Sequence, residues 1–351
     1  MRVFIGDIFK VLPEIYSTEY LVQKVYSPER VGEKTNRFVQ RYVKSLGIKQ
    51  KPIVLDLDKL PEKKLKKEDY SPLKWGEKVV KRFSNKLGKE NIGFLSVSYN
   101  ISYYEDFLPN LVSRIVENTD LKLDTYPEEL PFYGCASGLF SLKSAVEYCK
   151  KHNKAAVVFI FDQCSHIGHF TFDSSDPDFK KTLKTNFLFS DGGVGLLIIP
   201  ETMKDQFDTA VEVLDIKLDH IPGDEIKIQR GKFILGNKLK EIIPPIVSSH
   251  VIKPLLKKYD LDINDIKEWA IHQGGYAILE KFKEKEILGL SDLQIKKAEE
   301  LFSMYGNLSS PSSFFIFDSF FHEKKEKKES LGMIIGFGAG YYIGSALYKW
   351  V

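Results

Sequence analysis

The chain of 351 residues carries 51 Lys and Arg against 48 Asp and Glu, so 51 − 48 = +3 at neutral pH, too little charge for nucleic acid to be the main partner. Its length can hold two domains, or two halves of one large domain with a sizeable core. The three cysteines, Cys135, Cys149 and Cys164, are odd in number and lack metal-ligand spacing, which excludes a disulfide framework or zinc site and favours a reducing cytoplasm.

Met1–Asp7 reads as a first strand without the apolar run and cleavage site of a signal peptide. Short β-rich apolar runs then alternate with helical patterns, the signature of an α/β architecture. Strands are predicted at Val3–Ile5, Ile92–Val97, Ala155–Phe161, Gly193–Ile199, Glu268–Ile271, Met333–Phe337 and Tyr341–Leu347. Several are apolar on both faces, as strands between helix layers are. Helices are predicted at Gly32–Leu46, Leu73–Leu87, Gly138–Lys151, Pro244–Lys258, Tyr276–Glu284 and Asp292–Tyr305. The lysine-dense stretch 59–91 and the mixed run His322–Glu329 read as solvated surface. Ile334–Val351 is the most apolar stretch, but its glycines and Lys349 favour a buried strand pair over a membrane span. An apolar strand with a glycine-rich turn closes each half, near residue 190 and at Gly336–Gly340. The junction falls within Pro200–Asp208, giving halves of 1–205 and 206–351.

Three polar residues stand at places where chemistry is commonly built. Cys135 follows Gly134 and opens an amphipathic helix, where the positive end of the helix dipole lowers a thiol pKa. Cys149 and Cys164 lack that placement and read as structural. His272 follows the strand-like Glu268–Ile271 and precedes Gly274-Gly275, a strand end of the kind that carries function. Asn307, after Gly306, reads by itself as a helix C-cap. His166 and His169 have no partner cluster, so no metal site is expected.

The order Cys135, His272-Gln273-Gly274-Gly275, Tyr305-Gly306-Asn307-Leu308-Ser309-Ser310 and Gly336-Phe337-Gly338-Ala339-Gly340 resembles the thiolase-fold condensing enzymes. Within these the chain looks most like the type III polyketide synthases (chalcone synthase-like), with β-ketoacyl-acyl-carrier-protein synthase III close by. The spacings, 272 − 135 = 137 and 307 − 272 = 35, agree with the resemblance. It departs from the chalcone synthase pattern at Gln273 and Ala339, where proline is usual, and at His166, often acidic.

The resemblance implies a five-layered αβαβα fold from two pseudo-duplicated halves. It implies decarboxylative Claisen condensation of an acyl thioester with malonyl-CoA, needing no cofactor beyond the coenzyme A thioesters themselves. Cys135 matches the acyl-accepting nucleophile, with His272 and Asn307 completing the triad. Phe189 and Phe233 match gatekeepers, Thr171 and Ser309 the chamber wall, and Gly338 the loop beside the oxyanion site. Arg37 and Lys44 fall where basic residues meet coenzyme A phosphates. Leu108, in Tyr103–Pro109, matches a residue that enters the neighbouring chamber of a homodimer. The alternative is a single-condensation enzyme using an acyl carrier protein, docked on Arg37, Arg41, Lys44 and the 59–91 lysines.

Overall fold

The computed structural model describes residues 1–103, 108–229, 232–323 and 328–351. Residues 104–107 of the expected subunit-contact loop, Gly231 beside Phe233, and 324–327 of the charged run lie outside the described residues.

The chain opens with β1 (Val3–Val11), β2 (Ile15–Ser17), α1 (Thr18–Val25), α2 (Pro28–Val31), α3 (Glu33–Ser45) and β3 (Gln50–Pro52). α4 (Pro72–Leu87), β4 (Ile92–Tyr99), α5 (Leu111–Thr119) and β5 (Glu128–Pro131) follow. Next come α6 (Ser137–His152), β6 (Ala155–Gln163), α7 (Phe179–Leu188) and β7 (Asp191–Pro200). Beyond a short turn run β8 (Val211–His220) and the paired β9 (Ile226–Gln229) and β10 (Lys232–Leu235). α8 (Leu239–Val247), a wide turn at Ser248–Ile252, α9 (Lys253–Lys258), β11 (Ile266–Ile271), α10 (Tyr276–Lys281) and α11 (Asp292–Tyr305) succeed them. α12 (Ser312–Phe321), β12 (Leu331–Phe337) and β13 (Tyr342–Trp350) end the chain.

Nine strands form one sheet in the order β11-β12-β13-β8-β1-β7-β6-β4-β5. Outward from the β1–β8 seam, the pairings β1/β7, β7/β6 and β6/β4 are antiparallel, antiparallel and parallel. On the other side β8/β13, β13/β12 and β12/β11 repeat that sequence. α6 touches β4 and β6 of one side and β8 and β13 of the other, while α12 bridges β11 and β12 to β1. These two helices are therefore the middle layer. α4 covers the outer face of β1, β6 and β7, and α11 and the Ser248–Ile252 turn cover the opposite outer face. The layering is αβαβα, a thiolase-like fold.

Strand alternation accounts for the two cores. On β6, Ala156, Val158 and Ile160 face the middle layer with Leu139, Leu142 and Phe314. Val157, Phe159 and Phe161 face outward onto Val79 and Phe83 of α4. All nine β6 residues are buried, as a strand between two helix layers requires.

Each predicted strand is present, several running longer. The helix predicted at Pro244–Lys258 begins five residues earlier, at Leu239, with Pro244 and Pro245 inside it. Leu239, Ile243 and Val247 recur every four residues on its buried face, and that burial outweighs the donors lost at the prolines. The wide turn at Ser248–Ile252 follows directly and lets the helix resume as α9. The predicted Tyr276–Glu284 helix stops at Lys281.

Candidate active site

Cys135 sits in a tight turn, Gly134–Ala136, that feeds α6. Gly134 has φ +58°, and a β-carbon there would come within 2.6 Å of the Ala339 nitrogen, so only glycine brings the two loops together. Cys135 is half-buried as a residue, and its thiol lies 3.3 Å from the Ser309 hydroxyl. His272 continues β11, its backbone N–H donating to the Ile335 carbonyl of β12 at 2.9 Å. Its ring is edge-on to Phe337 at 5.0 Å, and its Nδ1 is buried with no hydrogen-bond partner among the described residues. The neighbouring Gln273 Oε1 is likewise unpartnered.

Asn307 is not the helix cap that the local sequence suggests. Gly306, at φ +68°, caps α11 by donating to the Phe302 carbonyl. Asn307 instead pairs alongside Phe189: its N–H donates to Leu188 O, and Ser190 N–H donates to Asn307 O, both at 2.8 Å. Its side-chain Oδ1 accepts from Ser309 N at 2.7 Å, which fixes the carboxamide with its amide protons as the donating end.

Cys135, His272 and Asn307, from three distant segments, line one cavity of about 350 Å³ together with Leu188, Phe189 and Phe337. Asp162 ties two of these segments together. It is 0 % exposed, accepts from Asn100 N and Ile101 N, each at 2.7 Å, and from Ser310 N at 3.0 Å and Ser310 Oγ at 2.6 Å. Asn100 in turn donates to Gly134 O at 3.0 Å. The carboxylate thus links the loop before Cys135 to the loop after Asn307. Sequence reading missed it, because an Asp at the end of an apolar strand carries no local motif.

The electrostatics reverse one expectation. Burial pushes the Cys135 thiol up to about 12, with the Asp162 charge adding to the rise and the Ser309 hydroxyl opposing it. Burial also drives His272 down to about 3. The expected lowering by the helix end is outweighed by loss of water around the sulfur. Both shifts favour a thiol beside a neutral imidazole at rest.

The other expected residues divide. Phe189 and Phe233 stack face to face, ring centroids 4.3 Å apart at 6°. Gly338 abuts Cys135, but its N–H donates to Tyr342 O at 3.0 Å, so it supplies close approach rather than a free donor. Thr171 is half-buried between Phe170 and Phe172 and does not line the cavity. Arg37 and Lys44 are exposed on α3, Arg37 beside Glu33 at 3.9 Å, while Ser45 and Leu46 at the end of that helix reach the cavity. Leu108 is 85 % exposed. An outer cavity of about 820 Å³, lined by Tyr42, Lys180, Lys181 and Lys184, shares Lys184 and Asn237 with the inner one. These lysines were not singled out from sequence. Recognising α7 would have found them, since positions 180 and 184 fall on one helix face.

Residues 220–351 match the family of chalcone and stilbene synthases, C-terminal domain. That part of the chain carries both His272 and Asn307. The chain is 24% identical over 253 residues to "Putative chalcone synthase" of Bacillus subtilis (strain 168), covering 69% of this chain and 67% of that one. Its fold is similar to PKS-I from the brown alga Ectocarpus siliculosus, with TM-score 0.76, 16% identity and coverage of 100% and 98%. It is also similar to the C-terminal type III polyketide synthase domain of Steely1 from Dictyostelium, with TM-score 0.76, 20% identity and 99% coverage of each. The chain therefore shares the thiolase-like fold of these two proteins, and its C-terminal part is similar to the chalcone and stilbene synthase C-terminal domain.

Proposed function

We propose that the chain joins an acyl thioester to malonyl-CoA by decarboxylative Claisen condensation. The observation that carries this reading is the convergence of Cys135, His272 and Asn307 on one cavity. The Cys135 thiol gives its proton to His272 as it attacks the acyl thioester, and coenzyme A leaves as the thiol. Malonyl-CoA then enters, and His272 and the Asn307 amide donate to its thioester oxygen while carbon dioxide departs. The resulting carbanion attacks the acyl-Cys135 carbonyl, releasing a 3-ketoacyl thioester and expelling the Cys135 thiolate, which takes a proton from solvent to restore the thiol. No step calls for a metal or redox cofactor.

Lysines 180, 181 and 184 of α7 and Lys240, around the mouth, suit coenzyme A phosphates better than Arg37. The space behind the Phe189–Phe233 pair is only about 30 Å³, room for about two waters. It favours few extensions, or a single condensation with a carrier-protein thioester drawn to the same lysines, over a long polyketide. A homodimer is proposed from the sheet edge at β5, flanked by Leu108, Tyr126 (83 % exposed) and Phe132 (72 %). Such exposed apolar side chains suit a subunit contact.

Acyl-CoA incubation with intact-mass detection, followed by labelled malonyl-CoA, tests the reading. The parent protein is expected to gain one acyl group at Cys135, and Cys135→Ala none. Asn307→Ala should load normally yet lose carbon dioxide release by about 10²–10³. An adduct on Cys149 or Cys164, or undiminished decarboxylation by Asn307→Ala, overturns it.

A further inference from the structure

Lys51 on β3 is 1 % exposed. Its ammonium donates to the main-chain carbonyl of Asn186 near the end of α7 and lies over the Phe187 ring at 5.7 Å. The buried Asp191 carboxylate attracts it. That carboxylate accepts from Val54 N at 2.7 Å and Ser165 N at 2.8 Å. An ammonium has three donors, and among the described residues the Asn186 carbonyl is the one acceptor hydrogen-bonded to Lys51. Burial pulls its pKa down to about 7, the mark of a cation short of partners.

Lys51 also lines the small cavity behind the phenylalanine pair, with Tyr26, Cys164, Ser165, Phe189 and Phe233. Phe189 lines the Cys135 cavity as well, so the two spaces meet at that residue. We propose that Lys51 is a specificity-determining residue whose spare donors hold an uncharged oxygen near the end of the acyl chain carried by Cys135. This rests on the acyl-Cys135 reading.

The chemistry selects the ligand class. A wholly alkyl chain end would displace water from the ammonium and leave buried donors unpaired, which is costly. A carboxylate would be a second anion beside Asp191 with one cation between them, and buried charge needs its own partner. A keto or hydroxyl oxygen satisfies the donors without adding charge. Space for about two waters admits the carbonyl end of a short chain and little more. The preferred acyl group is therefore a short 3-ketoacyl unit, which a preceding condensation supplies.

Competition between acetoacetyl-CoA and butyryl-CoA, equal in carbon number and differing in that oxygen, tests the proposal. Intact mass reports the ratio of adducts on Cys135 in the parent, in Lys51→Met and in Lys51→Met/Asp191→Asn. The parent should favour acetoacetyl on the order of tenfold or more, the worth of a hydrogen bond to a charged group. The ratio should fall towards one in both variants. Should Lys51→Met fail to fold because Asp191 loses its counter-charge, the double variant decides, since it removes both charges. A parent that loads both thioesters equally, or a variant that keeps the parent's preference, overturns the Lys51 assignment while leaving acyl-Cys135 intact. A parent that loads neither overturns both.

Discussion

A β-carbon on residue 338 would stand 2.0 Å from the backbone nitrogen of Cys135. Gly338 is extended, at φ −164°, so the need for glycine comes from close approach and not from backbone strain. Gly338→Ala must push the Cys135 turn and the 336–340 loop apart. Displacing a reacting group by about 1 Å can cost on the order of 10² in rate. Acyl loading of Gly338→Ala is expected to fall at least tenfold with the far-ultraviolet circular dichroism unchanged. Loading at the parent rate would show that the contact relaxes without touching the thiol.

The neutral resting pair has a pH signature. With the Cys135 thiol pushed up to about 12, the rate of iodoacetamide alkylation should climb about tenfold per pH unit from pH 7 to 10. A thiolate–imidazolium pair would instead give a rate that levels off near neutrality. His272 adds a stability term of known sign. An unfolded imidazole takes its proton near about 6.5, the folded one only near about 3, so the unfolded chain binds more protons between these values. Stability is present above pH 6.5 and lost as pH falls towards 3. His272→Asn should flatten that slope in urea titrations at pH 4 and pH 7.

Phe189 and Phe233 offer unequal tests of the gate. Phe189 is 7 % exposed, and truncating a core Phe costs about 3–5 kcal/mol. Phe233 is half-buried on β10 and should cost less. Phe233→Ala is expected to widen the range of acyl-CoAs loaded, with a small drop in melting temperature. A large drop beside an unchanged acyl range would make Phe233 a packing residue only.

Asp162 predicts a joint loss. Asp162→Ala leaves the buried N–H groups of Ile101 and Ser310 without their acceptor, at about 1–3 kcal/mol each, and the part-buried N–H of Asn100 as well. Loading at Cys135 and decarboxylation through Asn307 should fall together, with a lowered melting temperature. Asp162→Asn, keeping one acceptor oxygen, should retain part of both. Loss of one activity alone would break the proposed link between the two loops.

Periodicity and short motifs determined much of this protein. The strands β1, β4, β6, β7, β11, β12 and β13 and the positions of Cys135, His272 and Asn307 were legible because each rests on local apolar runs or on glycines beside a polar residue. β8 escaped notice although Val211, Val213, Ile216 and Leu218 mark its apolar side. Its alternation breaks at Leu214, where Val213 pairs with Tyr348 and Asp215 with Leu347, leaving one residue unpaired. α12 escaped for the opposite reason: Ser312–Phe321 is buried almost all round, and a helix without a polar face shows no period. The tertiary structure alone decided the rest. It set Lys51 beside the Phe189–Phe233 pair, joined the Cys135 and Asn307 loops through Asp162, and raised the thiol that its helix end would have lowered. A helix end acts within a turn and can be read along the chain, whereas desolvation depends on everything that folds over the sulfur.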